Sequence, residues 1–316
     1  MGKYVIRRLL IAVVVLFAIS ILNFAFINLA PGDPLQALLP PEVPNGTVAK
    51  LYADSGLNQA PPVRYLRWLG EIVRGNLGTS FQTGQSTTTL IANTLPATLL
   101  LTGSAMLLAL LIGIPLGIFS ALHESSWLDE FTTVWSFAFT SIPSFFLALL
   151  AVFAFAVRLH WFPTGGMHAY DKPSDPVDLL RHLILPMIVL GLLHVPGYVR
   201  YVRASMLDVM RQDFVRTARA KGLRERVVTW RHTLPNALAP LITILGLSLP
   251  GLVGSSVLIE QVFAWPGMGQ LSINSALFRD YPVFMGTSLL YAVAVLLSNL
   301  FADLVYAVVD PRIRFT

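Results

Sequence analysis

The chain has 316 residues, 55% of them hydrophobic and 12% charged, with a formal net charge of +5 and a mean hydropathy of +0.67. Soluble domains carry about 25% charged residues, so the composition excludes an ordinary soluble protein and points to a membrane protein. The absence of cysteine excludes a disulfide framework, thiol catalysis and cysteine metal sites. On such a chain the basic balance bears on topology and anionic lipid before nucleic acid.

Six apolar runs follow in chain order: Leu9–Ala30, Leu95–Leu122, Phe131–Val157, Leu183–Val199, Leu238–Ile259 and Val283–Val309. Each is expected to be helical, because lipid offers no partner for a free backbone donor or acceptor. The first run follows Lys3, Arg7 and Arg8, as a signal peptide would. Its 22 residues exceed a signal core and fit a spanning helix. Pro186 and Pro196 in the fourth run, and Pro240 and Pro250 in the fifth, free backbone carbonyls. They predict bending against neighbours or a wet cavity. The resulting division is an N-terminal membrane helix at 1–30, an outside segment at 31–94, a transmembrane domain at 95–309 with cytoplasmic helices at 205–237, and a tail at 310–316.

Basic residues orient these runs. With the N-terminus in the cytoplasm, 14 of the 22 Lys and Arg fall inside. They are Lys3, Arg7, Arg8, nine between Arg200 and Arg231, Arg312 and Arg314. This is the positive-inside arrangement, with both termini cytoplasmic. The outside segment opens on "PGDPLQALLPPEVPNG", which reads as extended and turning. Its later stretch "YLRWLGEIVRG" places Tyr65, Leu66, Leu69, Ile72 and Val73 at helical spacing. A surface helix packed on the bundle is expected there ahead of substrate contact.

The chain has no phosphate-cradling G-x-x-x-x-G-K-[ST], no G-x-S-x-G and no H-E-x-x-H. Repeated intramembrane charges of a proton relay are missing, and no stretch reads as a selectivity filter. An ion-gradient transporter or a channel is therefore the weaker reading. Asp303 is expected to make a structural ion pair with Arg200 or Arg203, and Glu260 ends the fifth run. His160, His168, Asp171, Asp175, Asp178 and His182 gather in one outside loop. Their spacing is irregular, and turn formation accounts for the aspartates, so no metal site is expected.

One stretch stands apart: "DFVRTARAKGLRERVVTWRHTLP", Asp213 to Pro235. Leu207, Met210, Phe214 and Ala218 lie on one helical stripe. Gly222 is expected to end that helix with positive φ. Leu223 starts a second segment carrying Val227, Val228 and Leu234, which Pro235 ends. Tethering at both ends argues against nucleic acid. Contact with anionic headgroups, worth about 1 kcal/mol per cation, explains part of the charge. Docking of a cytoplasmic partner explains the small residues at the turn.

This segment resembles the coupling motif of binding-protein-dependent ABC importer permeases: E-A-A, three residues, Gly, nine residues, I-x-L-P. Ala218, Gly222, Leu234 and Pro235 fall on its positions. Arg216, Thr217 and His232 replace its Glu, first Ala and Ile. The stretch "YVRASMLDVMRQDFVRTARAKGL" is similar to the dipeptide/oligopeptide/nickel branch. So are "FINLAPGDP", "GNLGTSF", "VFAWPGMGQL", "RDYPV" and "DPRIRF", in that order along the chain.

The resemblance implies an all-α membrane protein with six transmembrane helices and the type I ABC importer permease fold. Within a bacterial inner membrane it would be the first of two permease subunits. The second permease, two cytoplasmic ATPase subunits and an extracytoplasmic binding protein are the implied partners. ATP and Mg would be bound by the ATPase subunits, leaving this chain without cofactor or enzymatic activity. The implied docking residues are Arg216, Ala218, Arg219, Lys221, Gly222, Leu223, Leu234 and Pro235. Small peptides are the implied cargo, with nickel or glutathione left open. The loop Phe263–Tyr281, with Trp265, Pro266, Gly267 and Gln270, is expected at the extracytoplasmic mouth, where it either contacts the binding protein or packs on the bundle.

Overall fold

The computed structural model describes residues 2–29, 58–172, 175–238 and 240–309. Among them there is no strand, only an isolated bridge between Thr79 and Ser86. In chain order the helices are α1 (Gly2–Leu29), α2 (Pro61–Val73), α3 (Thr87–Leu122), α4 (Trp127–Ser141) and α5 (Ser144–Ala151). A π-helical stretch, Val152–Arg158, continues α5. Then come α6 (Pro176–Met210) and α7 (Asp213–Ala220). Next, α8 starts at Glu225–Val227 and runs through a π-helical Val228–Thr233 into Leu234–Leu238. The chain closes with α9 (Leu241–Val262), α10 (Met268–Leu277) and α11 (Tyr281–Val309).

Among the described residues the six apolar runs are helical, with breaks at Ile142–Pro143 in the third and at Pro240 in the fifth. Among the described residues, Ile6–Leu29, Thr87–Leu122, Pro176–Met210 and Tyr281–Phe301 are each long and apolar enough to cross a bilayer. The third run departs from a single rod. It breaks at Ile142–Pro143, and the two halves meet at 98°. The residue before a proline is pushed out of the α region, and Ile142 takes ψ 126. By contrast α6 continues unbroken through Pro186 and Pro196, both buried. Helix α9 likewise continues through Pro250.

Two compact units divide the chain: Met1–Ala97 with Pro266–Leu296, and Thr98–Trp265 with Leu297–Thr316. In the second unit, small residues let α3 and α6 approach closely. A Cβ on Gly117 would lie 2.7 Å from Val202 Cβ, and one on Gly113 would lie 2.8 Å from Tyr198 Cβ. These two glycines, four residues apart, form the small-xxx-small face that helices use where lipid supplies no drive to associate. Gly191 answers from α6, where a Cβ would meet Ala105 O at 3.1 Å. Around this seam Val195, Val202 and Met206 are fully buried.

At one end of the same unit, Arg203 of α6 makes a two-pronged ion pair with Asp129 of α4, at 2.6 and 2.7 Å. Ser120 Oγ at 2.5 Å and the Ser125 N–H at 3.0 Å complete the carboxylate's bonding. Asp129 sits at the start of α4, where its backbone N–H also draws on the cap from Ser126, and the expected pairing of Asp303 with Arg200 or Arg203 falls on a side chain outside the described residues. Near the other end, Glu260 is fully buried and accepts from Thr98 Oγ1 at 2.8 Å and Ser256 Oγ at 3.2 Å.

In the first unit α2 lies on the second half of α1. Tyr65 OH bonds Ser20 Oγ at 2.7 Å, and its ring stands edge-on to Phe24 at 5.3 Å. The expected stripe on α2 splits: Tyr65 and Ile72 are half-buried, while Leu66 and Val73 are exposed. The stretches "GNLGTSF" and "RDYPV" meet here. Asp280 accepts from Ser80 Oγ and from the Phe81 N–H at 3.0 Å. Gly78, at φ +87, stands where a Cβ would touch Pro282 Cβ at 3.2 Å.

Candidate functional site

The basic stretch builds a turn between two short helices. Helix α6 stops at Met210, and Gln212 caps α7. The single stripe expected from Leu207 to Ala218 is thus interrupted, and Phe214 is exposed. On α7 only Val215 and Ala218 face inward. They join the core formed by Val199, Val202 and Met206. A two-residue anchor of this kind leaves the rest of α7 outside.

Helix α7 ends in a paired cap. The Gly222 N–H bonds Arg219 O at 2.9 Å, and the Leu223 N–H bonds Ala218 O at 3.4 Å. That is the Schellman pattern, which needs a left-handed residue at its centre. Gly222 supplies it with φ +75. Nothing lies within 4 Å of where its Cβ would be. Glycine is required here by conformation, and the space in front of it is open. Arg219 then reaches across the turn to Glu225, at 2.9 and 3.3 Å, tying α7 to α8.

Of the implied docking residues, Arg216, Arg219, Lys221, Gly222, Leu223 and Pro235 are exposed, Leu234 is half-buried and Ala218 is buried. Ala218 therefore seats the helix and does not present to a partner. Pro235 lies inside the last turn of α8 and does not end it. Val227 and Trp230, outside the implied docking set, are both exposed, with Trp230 at 57%. With Arg226 and Arg231 they line a hollow of about 550 Å³. The π-helical turn from Val228 to Thr233 widens α8 and rotates these side chains relative to a regular helix; such turns recur at functional sites. An exposed tryptophan beside two arginines was a visible signal, since both types concentrate at protein interfaces.

In the loop expected at the mouth, Trp265 is fully buried, and its backbone N–H donates to Glu260 O at 2.8 Å. It holds the loop in place and offers no ring to the surface. Ala264 before it takes φ 47. In the first unit Pro266 is exposed, Gly267 is buried as the N-cap of α10, and Gln270 is half-buried.

The histidine loop is organised around Asp178. Its Oδ2 accepts the Ala169 N–H at 2.6 Å and lies 3.5 Å from His182 Nδ1 and 3.8 Å from His168 Nδ1. His182 Nδ1 is also 2.8 Å from Asp178 O. Asp175 caps α6 through the Val177 N–H, and His160 is exposed. Among the described residues no three such side chains converge as a metal ion would require.

Residues 113–315 match the family described as the binding-protein-dependent transport system inner membrane component. Residues 1–102 match the N-terminal part of the same kind of membrane component. The chain belongs to this family. It is an integral inner-membrane permease subunit of an ABC importer. Among its relatives is the oligopeptide transport system permease protein AppB of Bacillus subtilis, 44% identical over 316 residues and covering all of both chains. The dipeptide transport system permease protein DppB of Alkalihalophilus pseudofirmus is 37% identical over the full length of both. The glutathione transport system permease protein GsiC of Pectobacterium atrosepticum is 36% identical, again over both full lengths. The fold resembles the MetNI methionine ABC transporter in its inward-facing conformation. The TM-score is 0.57 at 20% identity, covering 71% of this chain and 97% of that one.

Proposed function

We propose that this permease forms half of a pathway that imports small peptides. In this reading it pairs with a second, related permease, two cytoplasmic ATPase subunits and an extracytoplasmic binding protein. The observation that carries the proposal is the turn at Gly222. It is rigidly capped, tied by Arg219–Glu225, seated on the core by Val215 and Ala218, and otherwise exposed. Such a knob transmits movement: a push on α7 is delivered to α6 through the buried pair. Phe214, Leu223, Val227 and Trp230 supply apolar contact area, and the surrounding arginines supply orientation.

In the cycle that follows, ATP and Mg bind the ATPase subunits and need no site on this chain. Closure of the ATPase pair draws the Gly222 turns together and opens the cavity outward. The binding protein releases its peptide into that cavity, and hydrolysis returns the pathway to the inward-facing state. Both termini and the Gly222 turn lie in the cytoplasm, and Pro266, Gly267 and Gln270 lie at the outer entrance. The peptide assignment rests on the names of the oligopeptide and dipeptide relatives. The test is uptake in proteoliposomes holding the complete assembly, with labelled di- and tripeptides, glutathione and nickel compared under ATP. Peptide uptake that stops without ATP supports the proposal. Uptake of glutathione or nickel alone would replace the cargo, and failure of the ATPase subunits to co-purify would remove the docking role.

A further inference from the structure

Within the first unit, α1, α2, the 76–81 turn and the start of α11 enclose a cavity of about 390 Å³. Its volume falls in the range of small-molecule sites, about 300–1,000 Å³. Phe24, Ile27, Arg64, Arg67, Trp68 and Glu71 are among the lining residues. Trp68 Nε1 is buried and has no hydrogen-bond partner. A buried donor left unmade is costly and calls for an explanation. The wall is thus divided: two guanidinium groups and an indole N–H on one side, a carboxylate beside them, and aromatic and aliphatic carbon from α1.

The depth of this cavity follows from α1. Phe24 lies six residues before Ala30, the last residue of the first apolar run in the sequence. Arg64 stands over the Phe24 ring at 5.9 Å. A helix packed at this level of α1 suits the boundary between headgroups and acyl chains, about 5–10 Å in, where amphipathic helices settle. The opposite face of α2 agrees, because Val63, Leu66 and Val73 are all exposed there. Among the described residues the Glu71 carboxylate accepts from Asn76 at 2.8 Å and Arg74 at 3.4 Å, which leaves acceptor capacity for a further donor.

We propose that this cavity holds the headgroup of an ethanolamine phospholipid from the leaflet at the C-terminal end of α1. The phosphate lies on Arg64, Arg67 and the Trp68 indole N–H, and the ammonium lies on Glu71. The acyl chains descend along Phe24 and Ile27. Charge complementarity selects this occupant: its phosphate suits the guanidinium groups and the indole N–H, and its ammonium suits the acceptor capacity left on Glu71 beside the Arg74 contact.

The experiment is native mass spectrometry on the full-length chain, in whatever permease complex it purifies with, after delipidation. Dioleoyl phosphatidylethanolamine and dioleoyl phosphatidylglycerol are titrated in turn. The expected result is one retained phosphatidylethanolamine. Retention should weaken at least tenfold (1.4 kcal/mol) in the Arg64→Gln/Arg67→Gln double variant and measurably in Trp68→Phe, which keeps the ring and loses only the donor. Glu71→Gln should shift preference toward phosphatidylglycerol. Arg67→Lys, which keeps the charge, should bind nearly as wild type and shows that the fold survives change at the rim. Equal retention in wild type and the Arg64/Arg67 and Trp68 variants overturns the proposal. So does glycerophosphoethanolamine binding as tightly as the lipid, which assigns the site to a soluble phosphoester, or displacement by trialanine, which assigns it to peptide.

Discussion

Replacing Gly222 separates two reasons for a glycine that usually come mixed. The backbone sits at φ +75, a conformation that costs an ordinary L-residue about 1–2 kcal/mol. No atom lies within 4 Å of the added Cβ, so a larger side chain meets no obstacle within this chain. Gly222→Ala and Gly222→Trp should therefore lose the same increment, about 1–2 kcal/mol of local turn stability, and insert into the membrane equally. Gly222→Asn should lose less, since asparagine tolerates the left-handed region. Docking is what divides them. Against an ATPase surface, Trp occupies space that Ala leaves free. ATP-dependent uptake should fall at least tenfold further in Gly222→Trp than in Gly222→Ala, a gap of about 1.4 kcal/mol. Parallel assays of membrane yield, ATPase co-purification and uptake read out the three steps. If Gly222→Trp transports like Gly222→Ala, the turn touches no partner and the docking assignment fails.

Four further outcomes are expected. Asp129→Ala should strand the Arg203 guanidinium and cost about 3 kcal/mol, read as a lower melting temperature in detergent. The Asp129→Leu/Arg203→Met pair should cost less than either single change, and an additive result would deny the ion pair its coupling. Gly117→Ala places a methyl 2.7 Å from Val202 Cβ and should destabilise by about 1–3 kcal/mol. Gly103→Ala, with open space around it, should be neutral or stabilising, so equal losses in the two would remove the close-packing argument. Replacing His160, His168 and His182 together should leave uptake largely intact, and nickel binding lost with uptake in that variant would reverse the cargo assignment. A photo-crosslinker at Gln270 should capture the binding protein in at least one nucleotide state, and capture in neither would count against an entrance role.

The helical plan was legible because apolar runs of some twenty residues admit no other structure in lipid. The Gly222 turn was legible because glycine spacing encodes a backbone conformation locally, and φ +75 answers it. Two features had local signals that hydropathy conceals. Ile142–Pro143 is a pre-proline pair that ends a helix, and "GIPLG" carries glycines four residues apart. The Asp129 partner of Arg203 was not legible, because the two lie 74 residues apart in sequence and only the packing of α4 on α6 brings them together. Trp265 misled in the other direction. Aromatic residues beside a span suit an interface, yet its ring is fully enclosed, a consequence of the left-handed Ala264 turning the chain inward.

The bend at Pro143 also bears on how this part of the chain matches a bilayer in length. Each arm holds 15 helical residues, α4 on one side and α5 with its π-helical extension on the other. An arm is therefore about 22 Å long, against a hydrocarbon core of about 30 Å. Because the arms meet at 98°, an arm set along the bilayer normal leaves the other nearly in the plane. Their lengths do not add. Phe145, Phe146, Leu149 and Phe153 on the second arm are exposed in this chain, an apolar surface about 8 Å shorter than that core. Hydrophobic mismatch of this kind costs fractions of a kcal/mol per ångström. Wherever lipid contacts this arm, a thinner membrane reduces the mismatch.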